Sequence, residues 1–197
     1  MTTRIQRRNR RKILDAALDV FSAQGFRGAT LDQIAGVAGL SKPNLLYYFD
    51  SKEAMHRALL DNLLDVWLAP LRAMNPEGNG KAEILAYMRR KLQMSREFPR
   101  ESRLFANEIL QGAPRFIEGI EGDLKALVDE KAALLAAWMD SGRIARVHPH
   151  HLIFSIWSLT QNYADFDVQM RAVLDDEDPF DGAAAFVDTL YRRLLTP

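Results

Sequence analysis

The chain has 197 residues, 48% of them hydrophobic, with 26 basic and 26 acidic side chains and no cysteine. That length suffices for a compact body with a smaller appended domain, and the missing thiols exclude disulfides, thiolate metal sites and cysteine nucleophiles. No apolar run reaches the roughly 18–20 residues of a membrane span, and the basic N-terminus lacks the apolar stretch of a signal peptide, so a cytoplasmic protein without membrane attachment is expected.

The balanced total hides an uneven distribution. Residues 1–52 carry nine Lys and Arg (Arg4, Arg7, Arg8, Arg10, Arg11, Lys12, Arg27, Lys42, Lys52) against four acids, a net +5. The remainder carries 17 against 22, a net −5. A basic head on an acidic body steers one end of the molecule toward a polyanion.

In chain order, Ile13, Ala16, Ala17, Val20 and Phe21 form the inner stripe of a first helix, ended by Gly25. The preceding run RIQRRNRRK reads either as a solvated helix start or as an arm that orders on DNA. Thr30 and Gln33 stand at capping-box spacing, followed by Leu31, Ile34 and Ala35 at helical spacing. Gly39 supplies the backbone freedom for a tight turn. Ser41 caps a second short helix that tolerates Pro43 in its first turn. Leu45 and Phe49 point inward, leaving Lys42, Pro43, Asn44, Tyr47 and Tyr48 outward. A short capped helix with polar and aromatic tips suits a major groove, so these residues predict a helix-turn-helix DNA-binding head.

Beyond it, Ser51 caps a long helix carrying Met55, Leu59, Leu63, Val66 and Trp67, which slows at Pro70 and stops between Pro76 and Gly80. A helix over about 81–97 breaks at Pro99, and another runs to about Gly112. Pro114 precedes a long helical stretch with Gly119 and Gly122 near its start and Gly142 after its end. Pro149 opens a helix through residues 150–170, and Pro179 opens the last, to about Leu195. Strand and hairpin signals are absent. The expected fold is all-α, with about nine helices.

Residues 10–55 resemble the N-terminal domain of TetR-type transcriptional repressors. Three pieces carry the likeness: Phe21 to Phe26 (F-x-x-x-G-F), Thr30 to Ser41 (T-x-x-x-I-A-x-x-A-G-L-S), and Leu46 to Lys52. The resemblance implies that Thr30, Tyr47, Tyr48 and Lys52 position the head on phosphates while Lys42, Pro43 and Asn44 face base edges. Leu46 departs from the pattern, standing where the family usually has a DNA-touching tyrosine, and it offers only apolar contact.

The segments NLLYYFDSKEA, LLDVWLAPL, SREFPRESRLFANEILQGAP, DLKALVDEK and HPHHLIFSIWSLTQNYADF span most of residues 44–167. They resemble the branch of this family that represses pyrimidine utilisation in response to uracil and thymine. The layout implied is a DNA-binding domain at 1–52 and an effector-binding and dimerisation domain at 53–197. It also implies operator DNA as partner, and a homodimer formed by the last two long helices, the final one bearing Phe186, Leu190 and Leu194 on a stripe. A dimer also follows from the head, since one short helix buries too little to specify an operator.

A pyrimidine needs a carboxamide for its edge and an aromatic ring for its face. Trp157, Gln161 and Asp165 fall at i, i+4 and i+8 on one helix face. Gln161 or Asn162 with Trp157, Trp67 and Phe105 meets that need, with Asn107 and Glu108 as further polar candidates. The competing reading makes these rings ordinary core. An alternative function is a regulator of the same fold answering a different small aromatic or hydrophobic metabolite.

Other chemistries find little support. His148, His150 and His151 lack metal-ligand spacing, and Asp175, Asp176, Glu177, Asp178 and Asp181 lack that of a calcium loop, so no metal is expected. No phosphate loop or nucleophile elbow is present, so neither cofactor nor enzymatic activity is expected.

Overall fold

The computed structural model describes residues 4–197, and no strand occurs among them. The first three residues of the expected 1–52 head lie outside the described residues. In chain order the helices are α1 (Arg4–Gly28), α2 (Leu31–Ala38), α3 (Lys42–Tyr48), α4 (Lys52–Arg72), α5 (Gly80–Glu97) and α6 (Pro99–Leu110). There follow a short α7 (Ile117–Gly119), a π-helical turn (Ile120–Leu124), α8 (Lys125–Asp140), α9 (Pro149–Asp165), α10 (Asp167–Val173) and α11 (Ala183–Leu194). The chain divides into two compact units, residues up to Leu64 with Arg100–Glu118, and Asp65–Pro99 with Gly119–Pro197.

The first unit is built on α1, whose Ile13, Ala17 and Phe21 are fully buried. The expected stop at Gly25 is a kink (φ 67°, ψ 173°), after which the chain turns on to Gly28. α2 begins with the expected reciprocal cap: Gln33 N–H donates to Thr30 Oγ1 at 3.2 Å, and Thr30 N–H to Gln33 Oε1 at 2.9 Å. It ends at Gly39 (φ 60°), whose left-handed backbone suits glycine. Ser41 Oγ accepts from Asn44 N–H to start α3, and Ser51 Oγ accepts from Ala54 N–H to start α4. Arg100 at the start of α6 pairs with both Asp15 and Asp19 of α1.

In the second unit α5 packs against α9 and α11, and α9 also against α8 and α10. Four details differ from the sequence reading. Val66 lies on the exposed side of α4. The stretch after Pro114 is interrupted by the π turn at Ile120–Leu124, where Gly122 weakens the preference for α geometry. The helix expected through residue 170 ends at Asp165, where Phe166 leaves helical dihedrals (φ −115°, ψ 28°), and restarts as α10. Pro179 does not open the last helix: Asp178 Oδ1 accepts from Phe180 N–H in a tight turn, and α11 starts only after Gly182 (φ 79°).

Candidate DNA interface and effector site

The candidate DNA-binding surface rests on two anchors. Leu45 is fully buried under α3, and Phe49 follows it into the core. Opposite them Lys42, Pro43, Asn44, Leu46 and Tyr47 are exposed, Tyr47 at 70%, and Tyr48 is half-buried. The two tyrosine rings meet edge to face with centroids 5.1 Å apart. The basic start of α1 is helical and reaches this surface. Asn9 Nδ2 donates to Tyr48 Oη at 2.9 Å, Gln6 Nε2 to Tyr47 Oη at 3.4 Å, and Arg10 Nη1 to Tyr48 O at 3.1 Å. Arg10 also lies over the Phe49 ring, 4.0 Å from its centroid. Gln6, Asn9 and Arg10 thus brace the C-terminal end of α3. Their i, i+3, i+4 spacing was the available signal, hidden among arginines.

Three further expected phosphate and base contacts have internal engagements. Thr30 Oγ1 donates to Gln33 Oε1. Lys42 pairs with Asp32 at 3.0 Å, an exposed bridge of small stabilising value that a phosphate can replace. Lys52 Nζ donates to the carbonyls of Phe26 at 2.9 Å and Ala29 at 2.8 Å, and sits 4.3 Å from the Phe26 ring centroid. Two of its three N–H donors therefore close the end of α1.

Behind this surface, still in the first unit, lies a buried polar cluster. His56 is 2% exposed, edge-on to Phe21 and Phe26, with Nε2 4.0 Å from Glu108 Oε2. Burial pushes its pKa down to about 4, against a partial pull upward from Glu108. Glu108 is itself buried and accepts from Arg115 N–H and from Arg115 Nη1, each at 2.9 Å. Arg115 lies over Phe26, 3.6 Å from the ring centroid. Two other expected effector contacts, Phe105 and Asn107, are half-buried in this unit, Phe105 edge-on to Phe116. Glu108 is therefore committed to Arg115, whatever else it meets.

The remaining effector candidates are in the second unit. Trp157 Nε1 donates to Tyr87 Oη at 2.7 Å, joining α9 to α5. Burial raises the Tyr87 pKa well above the ordinary tyrosine value, so the phenol stays neutral. Gln161 is half-buried one turn beyond Trp157, whereas Asn162 faces outward. Trp67 is buried and Lys91 Nζ lies 4.2 Å from its ring centroid. Lys91 is 3% exposed, and burial pulls its pKa down to about 8 against the opposing charge of Asp165. Sequence reading missed Tyr87, Lys91 and His56. A lysine among arginines carries no sequence mark of burial.

Elsewhere His150 Nε2 lies 3.0 Å from Asp129 Oδ1, and among the described residues no three metal-ligating side chains converge. No helix of the described residues is long and apolar enough to cross a membrane.

A capped helix-turn-helix with an outward polar and aromatic second helix, carried on an all-helical body, defines a DNA-binding transcriptional regulator. Residues 13–59 match the family model for bacterial regulatory proteins of the tetR family, and residues 60–197 match the model of the YcdC-like protein C-terminal region. The chain belongs to the TetR family of ligand-responsive transcriptional regulators. It is 54% identical over 164 residues to the HTH-type transcriptional regulator RutR of Escherichia coli (strain K12), a match covering 83% of this chain and 77% of the relative. The HTH-type transcriptional regulator SrpR of Pseudomonas putida is 32% identical over 140 residues, covering 61% and 62%. Among solved structures, the putative transcriptional regulator SCO4942 from Streptomyces coelicolor shares the fold at a TM-score of 0.75 and 22% identity, over 95% of this chain and 98% of that one. AibR, solved with isovaleryl coenzyme A and operator DNA, does so at 0.71 and 18%, over 92% and 97%.

Proposed function

We propose that this protein is a homodimeric, cytoplasmic repressor that binds an operator through α3 and the start of α1, and that its effector is a pyrimidine, uracil or thymine. It acts by binding, without catalysis. The observation that carries the reading is 54% identity to RutR across most of the chain.

The second unit supplies matching chemistry. Trp157 is a flat surface fixed by its bond to Tyr87, and Gln161 places a carboxamide on the same face. Trp67 adds a second ring, this one buried, and Gln161 is favoured over the outward Asn162 for the ring edge. Thr30, Tyr47, Tyr48 and Lys52 hold phosphates while Lys42, Pro43 and Asn44 read bases. The dimer is supported by Phe154 of α9 and by Phe186, Leu190 and Leu194 of α11, large apolar side chains left exposed. Effector and DNA binding are then reciprocally coupled, typically by ~5–150-fold.

Isothermal titration with uracil, thymine and cytosine tests the effector. Saturable binding of uracil and thymine, one per subunit, with none for cytosine is expected. Silence toward both uracil and thymine overturns the pyrimidine assignment in favour of another small aromatic or hydrophobic metabolite.

A further inference from the structure

In the basic run over residues 4–12, Gln6 and Asn9 are half-buried while every other side chain is exposed. Both amides turn toward the end of α3. Asn9 Nδ2 donates to Tyr48 Oη at 2.9 Å, and Gln6 Nε2 donates to Tyr47 Oη at a longer 3.4 Å. The edge-to-face contact between the two rings holds their planes. Arg4, Arg7, Arg8 and Arg11 recur at helical spacing on another side of α1, where they line a separate groove with Ile5. Neutral amides, and not arginines, therefore stand behind the two phenols.

That choice fixes the direction in which each phenol can act. A phenol carries one hydrogen and accepts through its oxygen. Where an amide N–H already donates to that oxygen, the phenol hydrogen must point elsewhere. Neither tyrosine finds an acceptor for it among the described residues. Accepting one bond also polarises the O–H, which makes it a stronger donor. Gln6, Arg10, Tyr47 and Tyr48 line an open basin of about 310 Å³ on the head, with room for a phosphodiester group and no carboxylate in its walls. Arg10 spends one N–H on Tyr48 O and keeps the rest of its fork.

We propose that Asn9 is a positioning residue, which turns the Tyr48 phenol into an outward donor for one phosphodiester group of the DNA backbone seated in this basin. Gln6 does the same, more weakly, for Tyr47. The proposal rests on the reading above in which the two tyrosines hold phosphates. It gives the start of α1 a second task besides carrying charge: its arginines attract the polyanion, and its amides set the polarity of the donors that grip it.

The test is a double-mutant cycle. Wild type, Asn9→Leu, Tyr48→Phe and the double variant are titrated with a mixed-sequence DNA duplex at two salt concentrations, and each DNA-free protein is melted. Asn9→Ala replaces Asn9→Leu should the latter fail to fold. Tyr48→Phe is expected to lose about 10-fold or more in affinity, as for a hydrogen bond to a charged group. Asn9→Leu alone should lose about 3- to 10-fold, and less than about 2-fold once Tyr48 is Phe, because its effect passes through the phenol. Neither substitution removes a charge, so the salt slope stays that of wild type.

A loss on Asn9→Leu that persists at full size in the Tyr48→Phe background overturns the role of Asn9 and leaves the phosphate role of the tyrosines standing. So does a lower melting temperature with affinity unchanged, the mark of a bond that serves only the scaffold. A salt slope that falls with Asn9→Leu assigns the loss to displaced arginines and overturns the proposal. Undiminished binding by Tyr48→Phe, or no binding of the duplex by wild type at the lower salt, overturns the phosphate reading and the proposal together.

Discussion

The indole N–H of Trp157 donates to the phenol oxygen of Tyr87 across 2.7 Å, tying α9 to α5. Tyr87→Phe removes the acceptor and leaves a half-buried indole N–H unsatisfied. The expected cost is about 1–2 kcal/mol of stability, read as a lower urea midpoint with unchanged slope. The proposed role of the Trp157 ring as a ligand surface predicts weaker uracil binding in the same variant. Loss of stability with undiminished uracil affinity would separate the two roles.

His56 sets a pH limit on the first unit. Its folded pKa of about 4 lies below the ordinary 6.5, because burial disfavours the imidazolium. The unfolded chain therefore binds the proton first as pH falls. The stability associated with neutral His56 is complete above about pH 6.5 and is lost progressively down to about pH 4. The full shift corresponds to about 3 kcal/mol. Urea midpoints measured from pH 7 to pH 4 should fall more steeply for wild type than for His56→Phe. Parallel slopes for the two would dissociate acid sensitivity from this residue.

Local signals were the most legible in the sequence. The Thr30–Gln33 box, the Ser41 and Ser51 caps, the Gly39 turn and the Pro149 helix start depend on residues within four positions, and each forms as its residue chemistry dictates. The break between α9 and α10 has no glycine or proline to announce it. Pro179 misled because a proline equally suits a turn, and the carboxylate of Asp178 decided the matter. The outward face of α3 was readable because Leu45 and Phe49 flank it at helical spacing. Tyr87, Lys91 and the His56–Glu108–Arg115 cluster were not, because each is created by elements distant in sequence packing together.

Gly80 opens α5 against Trp138, and a Cβ added there would lie 2.9 Å from the indole ring. That ring is 2% exposed and held by Nε1 donating to Pro76 O at 3.2 Å, so it has little room to yield. Alanine gains up to about 1 kcal/mol in helix propensity, whereas overpacking costs typically 1–3 kcal/mol. Gly80→Ala should therefore melt lower than wild type, with perturbed tryptophan emission. A higher melting temperature would mean that propensity wins and that Trp138 moves freely.

The DNA roles proposed for Lys52 and Asn44 separate affinity from specificity in the head. Lys52 closes α1 through two carbonyls and keeps one donor for a phosphate, so Lys52→Ala removes a scaffold contact and a charge together. The expected result is a less stable head, weaker binding to all sequences alike, and a salt slope lower by about 1. Unchanged slope with reduced stability would assign Lys52 to the scaffold alone. Asn44 is exposed on α3, and its side chain makes no bond that the fold needs, because Ser41 uses only its backbone N–H. Asn44→Ala should therefore leave melting within about 0.5 kcal/mol of wild type while cutting operator affinity relative to random DNA, by the 1–3 kcal/mol of a lost base contact. Competition binding at two salt concentrations reads both effects. Equal losses on operator and random DNA in Asn44→Ala would transfer base reading to Lys42, Pro43 or the tyrosines.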